Sequence, residues 1–134
     1  MIYRLFTLLL PLTFLFACGN SAETSAQDTA DDQAKYQDIT VEEFADRIGG
    51  DNTVILDVRT PGETSKGIIE GAIELDYRAA NFQEELQKLD PSKTYLVYCA
   101  SGGRSGKACG MMQEAGFAEM YNLKGGYRSW SAKE

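Results

Sequence analysis

No histidine occurs anywhere in the 134 residues, and there are only three cysteines and three prolines. The missing histidines exclude every Ser-His or Cys-His nucleophile pair, so a reactive side chain must be activated by something other than an imidazole base. Cys18, Cys99 and Cys109 are too sparse for a disulfide scaffold or a zinc site, and no metal or cofactor is called for. Positive charge is scarce as well: 13 Lys and Arg stand against 20 Asp and Glu, a formal balance of −7. Such a surface repels nucleic acid, and no basic stripe reverses that. It also disfavours the approach of small anions, so an anionic substrate must be captured by a local site built from Arg and backbone N–H groups.

What is present begins with an export signal. Met1 to Ala17 carries one positive charge, Arg4, before an apolar run from Leu5 to Phe16 that Thr7, Pro11 and Thr13 interrupt. The run falls short of the ~20 residues of a membrane span, which favours a signal peptide over a retained helix. Its end, Leu15-Phe16-Ala17-Cys18, resembles the lipobox of bacterial lipoproteins. That resemblance implies cleavage after Ala17, lipidation of Cys18, and a protein anchored in the bacterial cell envelope facing the periplasm. Gly19 behind the lipid cysteine favours the outer membrane. An ordinary secretory signal or an uncleaved anchor is the alternative. Each buried methylene contributes about 0.8 kcal/mol, so a multi-chain lipid anchors firmly where one acyl chain does not.

Removing 17 of the 134 residues leaves 117, enough for one domain with a real core. That mature chain loses Arg4 alone among its charges, giving 12 basic against 20 acidic side chains, or −8. Residues 18–35 contain no large apolar side chain, cannot offset the entropy of ordering, and read as a flexible tether. Residues 36–134 form the expected domain.

Within it strand and helix signals alternate, the pattern of an α/β layer fold with a small, mostly parallel sheet of about five strands flanked by helices. Thr40-Val41-Glu42-Glu43 matches a capping box, with Phe44, Ala45 and Ile48 on one face before Gly49-Gly50. Thr53 to Val58 reads as a buried strand with Asp57 at its carboxyl end, and Pro61-Gly62 then turns the chain. Further strands are expected at Ala72–Leu75 and Glu119–Leu123, and a helix at Asn81–Leu89. Thr94 to Cys99 is the clearest strand. A helix from about Ser105 to Ala115 follows, with Ala108, Cys109, Met112 and Ala115 as its apolar face, and a short terminal helix carries Trp130. No internal repeat is found.

The chemistry concentrates after the clearest strand. In open parallel sheets, ligands bind where strand ends lead into helix N-termini, and Cys99 sits at such an end before Ala100-Ser101-Gly102-Gly103-Arg104-Ser105. Two adjacent glycines let several N–H groups converge, and the helix behind adds partial positive charge. A thiol of pKa ~8.5 is only about 3% thiolate at pH 7, and a two-unit drop needs about 2.7 kcal/mol of support for the anion. A helix end supplies about 0.3–1 kcal/mol when exposed and up to about 2 in favourable settings. Loop amides and Arg104 are expected to supply the rest.

These residues resemble the rhodanese family from about Asp38 to Trp130. The likeness lies in Asp57-Val58-Arg59, in Gly71-Ala72, in the loop Cys99 to Ser105, and in Gly125-Gly126-Tyr127-Arg128-Ser129-Trp130. It implies a sulfurtransferase in which the Cys99 thiolate takes sulfane sulfur from thiosulfate or a related donor and passes the persulfide sulfur to cyanide or a thiol. Arg104 would hold the donor's anionic group, and the amides of Ala100, Ser101, Gly102, Gly103, Arg104 and Ser105 would stabilise the persulfide. A protein sulfur acceptor is a further partner the family allows. Four residues separate Cys99 from Arg104, one fewer than in the phosphatase branch of the fold, whose wider cradle accepts phosphate. Gly67-Ile68-Ile69-Glu70-Gly71-Ala72 departs from the family's Gly-His-Ile-Pro-Gly-Ala, with consequences for loop packing or donor preference. The rival readings are a non-catalytic sulfur-delivery or partner-binding module, and a phosphatase or arsenate reductase on the same fold.

Other side chains read more plainly. Asp57 and Arg59 are expected in supporting roles, Asp57 as an acceptor for loop or Arg groups and Arg59 paired with Glu63 or another carboxylate. Cys109 is assigned to the core and not to a disulfide with Cys99, which would need α-carbons within ~7 Å. Phe117, Tyr127 and Trp130 read as core or pocket wall, and Lys107 as a solvated helix charge.

Overall fold

The computed structural model describes residues 36–134. The expected signal segment, Cys18 and the expected tether lie outside the described residues. The chain forms five strands, β1 (Gln37–Ile39), β2 (Thr53–Asp57), β3 (Ile73–Glu74), β4 (Thr94–Tyr98) and β5 (Glu119–Leu123). Its helices are α1 (Val41–Arg47), α2 (Pro61–Thr64), α3 (Phe82–Gln87), α4 (Gly103–Glu114) and α5 (Gly126–Ser131). The sheet order is β1-β5-β4-β2-β3, and every pairing is parallel. The expected α/β fold is therefore the observed one, with a sheet parallel throughout.

Strand periodicity assigns the two faces of the sheet. Side chains alternate along β4, so Tyr95, Val97 and, just beyond, Cys99 join one buried layer while Leu96 and Tyr98 join the other. The first layer packs Phe82 and Leu86 of α3 and Ala108, Cys109 and Met112 of α4. The second packs Phe44 of α1, with Tyr98 and Trp130 edge-on to its ring at centroid distances of 6.3 and 6.0 Å. Cys99 thus leaves the central strand on the α4 side. That is what places its sulfur under the helix.

Local chemistry explains most boundaries. The Thr40–Glu43 capping box is present in both directions and starts α1. A second box, Thr60–Glu63, turns the expected Pro61-Gly62 bend into the single helical turn α2. Strand β1 was not expected: three residues with only Ile39 buried carry no periodic signal, and pairing with β5 makes them a strand. Helix α4 begins at Gly103, two residues before the expected Ser105. Its buried stripe is Ser105, Ala108, Cys109 and Met112, while Ala115 lies exposed past the last turn. Ala45 is likewise exposed on α1.

Candidate active site

Cys99 lies at the carboxyl edge of the sheet, between β4 and the head of α4, and its residue is only 1% exposed. The chain leaves β4, passes Ala100 and Ser101, and turns at Gly102, whose φ of +102° lies in the left-handed region. That conformation suits glycine, and a Cβ there would also press on the Leu123 carbonyl oxygen at 3.3 Å. The turn folds the backbone over the sulfur, so that the Gly102 N–H donates to Cys99 Sγ at 3.1 Å. From the first turn of α4, the buried Ser105 hydroxyl donates to the same sulfur at 3.3 Å.

The ionisation of Cys99 reflects a contest. Burial pushes the thiol up. The Ser105 hydroxyl and the amides of Ser105, Ser101 and Gly102 favour the thiolate, and together they hold Cys99 below the ordinary thiol value. For Cys109 burial wins the contest: the residue is fully buried on α4, and its thiol is driven up to about 12. It is a core residue.

The loop is clamped from behind by the α5 turn. Tyr127 N–H donates to the Cys99 carbonyl at 2.7 Å and Arg128 N–H to the Ala100 carbonyl at 3.1 Å. Such close approach requires Gly126, because a Cβ there would lie 2.5 Å from the Cys99 carbonyl oxygen and 2.6 Å from Ala100 C and Ser101 N. From β5, Asn122 Nδ2 donates to the Gly102 carbonyl at 3.2 Å and to Asp38 Oδ1 at 2.7 Å. Its buried Oδ1 has no partner among the described residues.

Arg59 has the carboxylate partner that the sequence leads one to expect, and of the candidates it is Asp57 and not Glu63. It forms a buried ion pair with Asp57, NH2 to Oδ2 at 2.7 Å, and donates to the Gly67 carbonyl at 2.7 Å. Its guanidinium also lies 4.0 Å from the centre of the Tyr127 ring. A charge taken out of water needs such partners, and here they pin the loop after α2 against the α5 turn. Glu63 instead joins Arg104 in a two-pronged pair, NH1 to Oε2 at 2.8 Å and NH2 to Oε1 at 2.6 Å. Those bonds hold the Glu63 carboxyl well below the usual carboxylate range.

Of the remaining loop residues, Ala100 is half-buried, Ser101 and Gly103 are exposed, and Lys107 is exposed on α4. Sequence reasoning counted Ser105 for its amide and missed its hydroxyl, although its helical position beneath the sulfur was a usable signal. It also missed Asn122 and the Glu63–Arg104 pair, which join segments far apart in sequence and leave no local pattern.

A family model described as a rhodanese-like domain matches residues 40–133. The chain is 34% identical over 115 residues to a probable adenylyltransferase/sulfurtransferase, MoeZ, of Mycobacterium tuberculosis, covering 85% of this chain but only 28% of that protein. A sulfurtransferase of Allochromatium vinosum is 30% identical, covering 70% of this chain and 87% of the relative. The thiosulfate sulfurtransferase GlpE of Coxiella burnetii is 34% identical, covering 72% and 89%. Among solved structures, a rhodanese-related protein from Thermoplasma volcanium superposes with a TM-score of 0.64 at 28% identity, covering 73% of this chain and 93% of that one.

Proposed function

The chain belongs to the rhodanese-like domain family, and from that membership we propose that it is a sulfurtransferase carrying sulfane sulfur as a persulfide on Cys99. One observation carries the reading: the Gly102 N–H and the Ser105 hydroxyl converge on Cys99 Sγ at the head of α4. Groups that hold a thiolate there also suit the negative charge of a persulfide one atom further out.

In the first half-reaction the Cys99 thiolate attacks the outer sulfur of thiosulfate. The donor's S–S bond breaks, its electron pair leaves on sulfite, and Cys99 becomes a persulfide anion. In the second, cyanide attacks the terminal sulfur, thiocyanate departs, and the thiolate returns; a thiol acceptor follows the same course. The amides of Ser101, Gly102 and Ser105 favour negative charge at this sulfur, so no imidazole is needed. The family resemblance gives Arg104 the donor's anionic end, and a donor must compete with Glu63 for it.

A thiosulfate-to-cyanide assay on the domain, with Cys99→Ser beside it, tests the proposal. Turnover that vanishes in the variant supports it, and turnover that survives contradicts it. One observation favours a second reading, delivery of sulfur to a protein thiol without efficient thiosulfate turnover: Arg104 already has Glu63 as its partner. A stable persulfide on Cys99 without turnover would support delivery. Lipid anchoring through Cys18 is proposed from the lipobox alone, and membrane association unchanged in Cys18→Ser would contradict it.

A further inference from the structure

We infer that Glu63 is a specificity-determining residue of this site, turning it away from dianionic donors such as thiosulfate and toward hydropersulfides of lower charge. The inference rests on the sulfur-transfer reading. Its ground is the use already made of Arg104. Both terminal nitrogens of the guanidinium are engaged by the two Glu63 oxygens, at 2.8 and 2.6 Å. Glu63 is also held from its own side, because Oε2 accepts from the Thr60 N–H at 3.0 Å and the Thr60 hydroxyl at 2.9 Å. The carboxylate is therefore part of the α2 cap, and it cannot swing aside for a substrate without giving up that cap.

Asp76 acts on the same guanidinium through space, so two carboxylates answer one cation. What remains for an anion is the set of loop amides and the helix end, already directed at the Cys99 sulfur. That set suits one negative charge. Thiosulfate brings two, and it meets a neutralised Arg104 on a chain that is acidic overall. A hydropersulfide, R–S–SH, needs no such cation. The Cys99 thiolate attacks its outer sulfur, the donor S–S bond breaks, and the electron pair leaves on RS⁻. Cys99 keeps the sulfur and its proton, and the single negative charge is conserved.

Glu63→Gln is the informative variant. The amide oxygen can still accept from Thr60 and Arg104, so the substitution removes charge while keeping shape and cap. The first readout is the rate of Cys99 alkylation by anionic iodoacetate relative to neutral iodoacetamide, mapped on the Cys99 peptide. That ratio should rise about threefold to tenfold in the variant at low ionic strength and fall back toward the wild-type value in 1 M salt. The second readout is kcat/KM for thiosulfate relative to the hydropersulfide of cysteamine, whose ammonium keeps its net charge near zero, and it should rise by at least the same factor. An alkylation ratio or donor preference that stays within twofold of wild type overturns the inference. Sulfur transfer from neither donor overturns the sulfur-transfer reading and the donor preference together; transfer from both with unchanged preference overturns the inference alone.

Discussion

The Ser105 hydroxyl lies 3.3 Å from Cys99 Sγ, both residues are buried, and the sulfur accepts its hydrogen. This contact answers the question that a chain without histidine poses, namely what makes a buried thiol a nucleophile. The answer is a hydroxyl together with the amides of Ser101, Gly102 and Ser105.

Replacing Ser105 with Ala removes the side-chain donor and leaves the amides. A hydrogen bond to a charged group contributes about 1.5–3 kcal/mol, so Cys99 should lose thiolate and its alkylation at pH 7 should slow by about tenfold or more. The pH profile of iodoacetamide alkylation checks this, because the midpoint must move up while the high-pH plateau stays. A profile that does not move would assign the Ser105 hydroxyl to packing alone.

Cys109 predicts an alkaline weakness. Its folded thiol titrates near 12 against a reference of 9.0, so the unfolded chain releases that proton first. The stabilising preference for the neutral thiol is intact below pH 9 and is lost as pH rises toward 12. One proton corresponds to a slope of up to about 1.4 kcal/mol per pH unit across that window. Urea unfolding of wild type and Cys109→Ala at pH 8 to 11 should show a steeper decline for the wild type, whatever constant cost the alanine brings.

Gly126→Ala should be among the most damaging single changes outside the loop itself. The added methyl would lie 2.5 Å from the Cys99 carbonyl oxygen, and the residue's φ of +60° disfavours any side chain. Strain of about 1–3 kcal/mol from the backbone alone adds to the clash. A lowered melting temperature together with slower Cys99 alkylation is expected, since the shift must pass into the loop. A normal melting temperature would mean that the α5 turn yields easily and is no clamp.

Asn122→Asp tests the support from β5. The substitution replaces the amide that donates to Gly102 O and Asp38 with a carboxylate facing two acceptors. The expected cost is about 1–3 kcal/mol by chemical denaturation, larger than for Asn122→Ala. Equal costs for the two variants would show that the contact with Asp38 carries little energy.

The sequence carried the strands that are buried on both faces and the cysteine loop because those are local patterns. Thr94 to Tyr98 is an apolar run of strand length, and Cys99 follows it directly into Gly102 and Gly103. Thr40 to Glu43 announced α1 through a cap only three residues long. Strand β1 could not announce itself, because its pairing partner β5 lies more than eighty residues further along. The same problem of distance hides the partner of Glu63. Arg59 is four residues from Glu63 and Arg104 is forty-one, yet strand β2 turns Arg59 back onto Asp57 and leaves Glu63 to the loop arginine.

The mass of the Cys99 peptide after brief incubation with a sulfane donor decides the matter at the sulfur atom itself. One added sulfur on Cys99, absent from Cys99→Ser and removed by cyanide as thiocyanate, is the predicted result. An unmodified Cys99 after exposure to both thiosulfate and a hydropersulfide, in a folded protein whose thiol still alkylates, would contradict the persulfide role assigned to it.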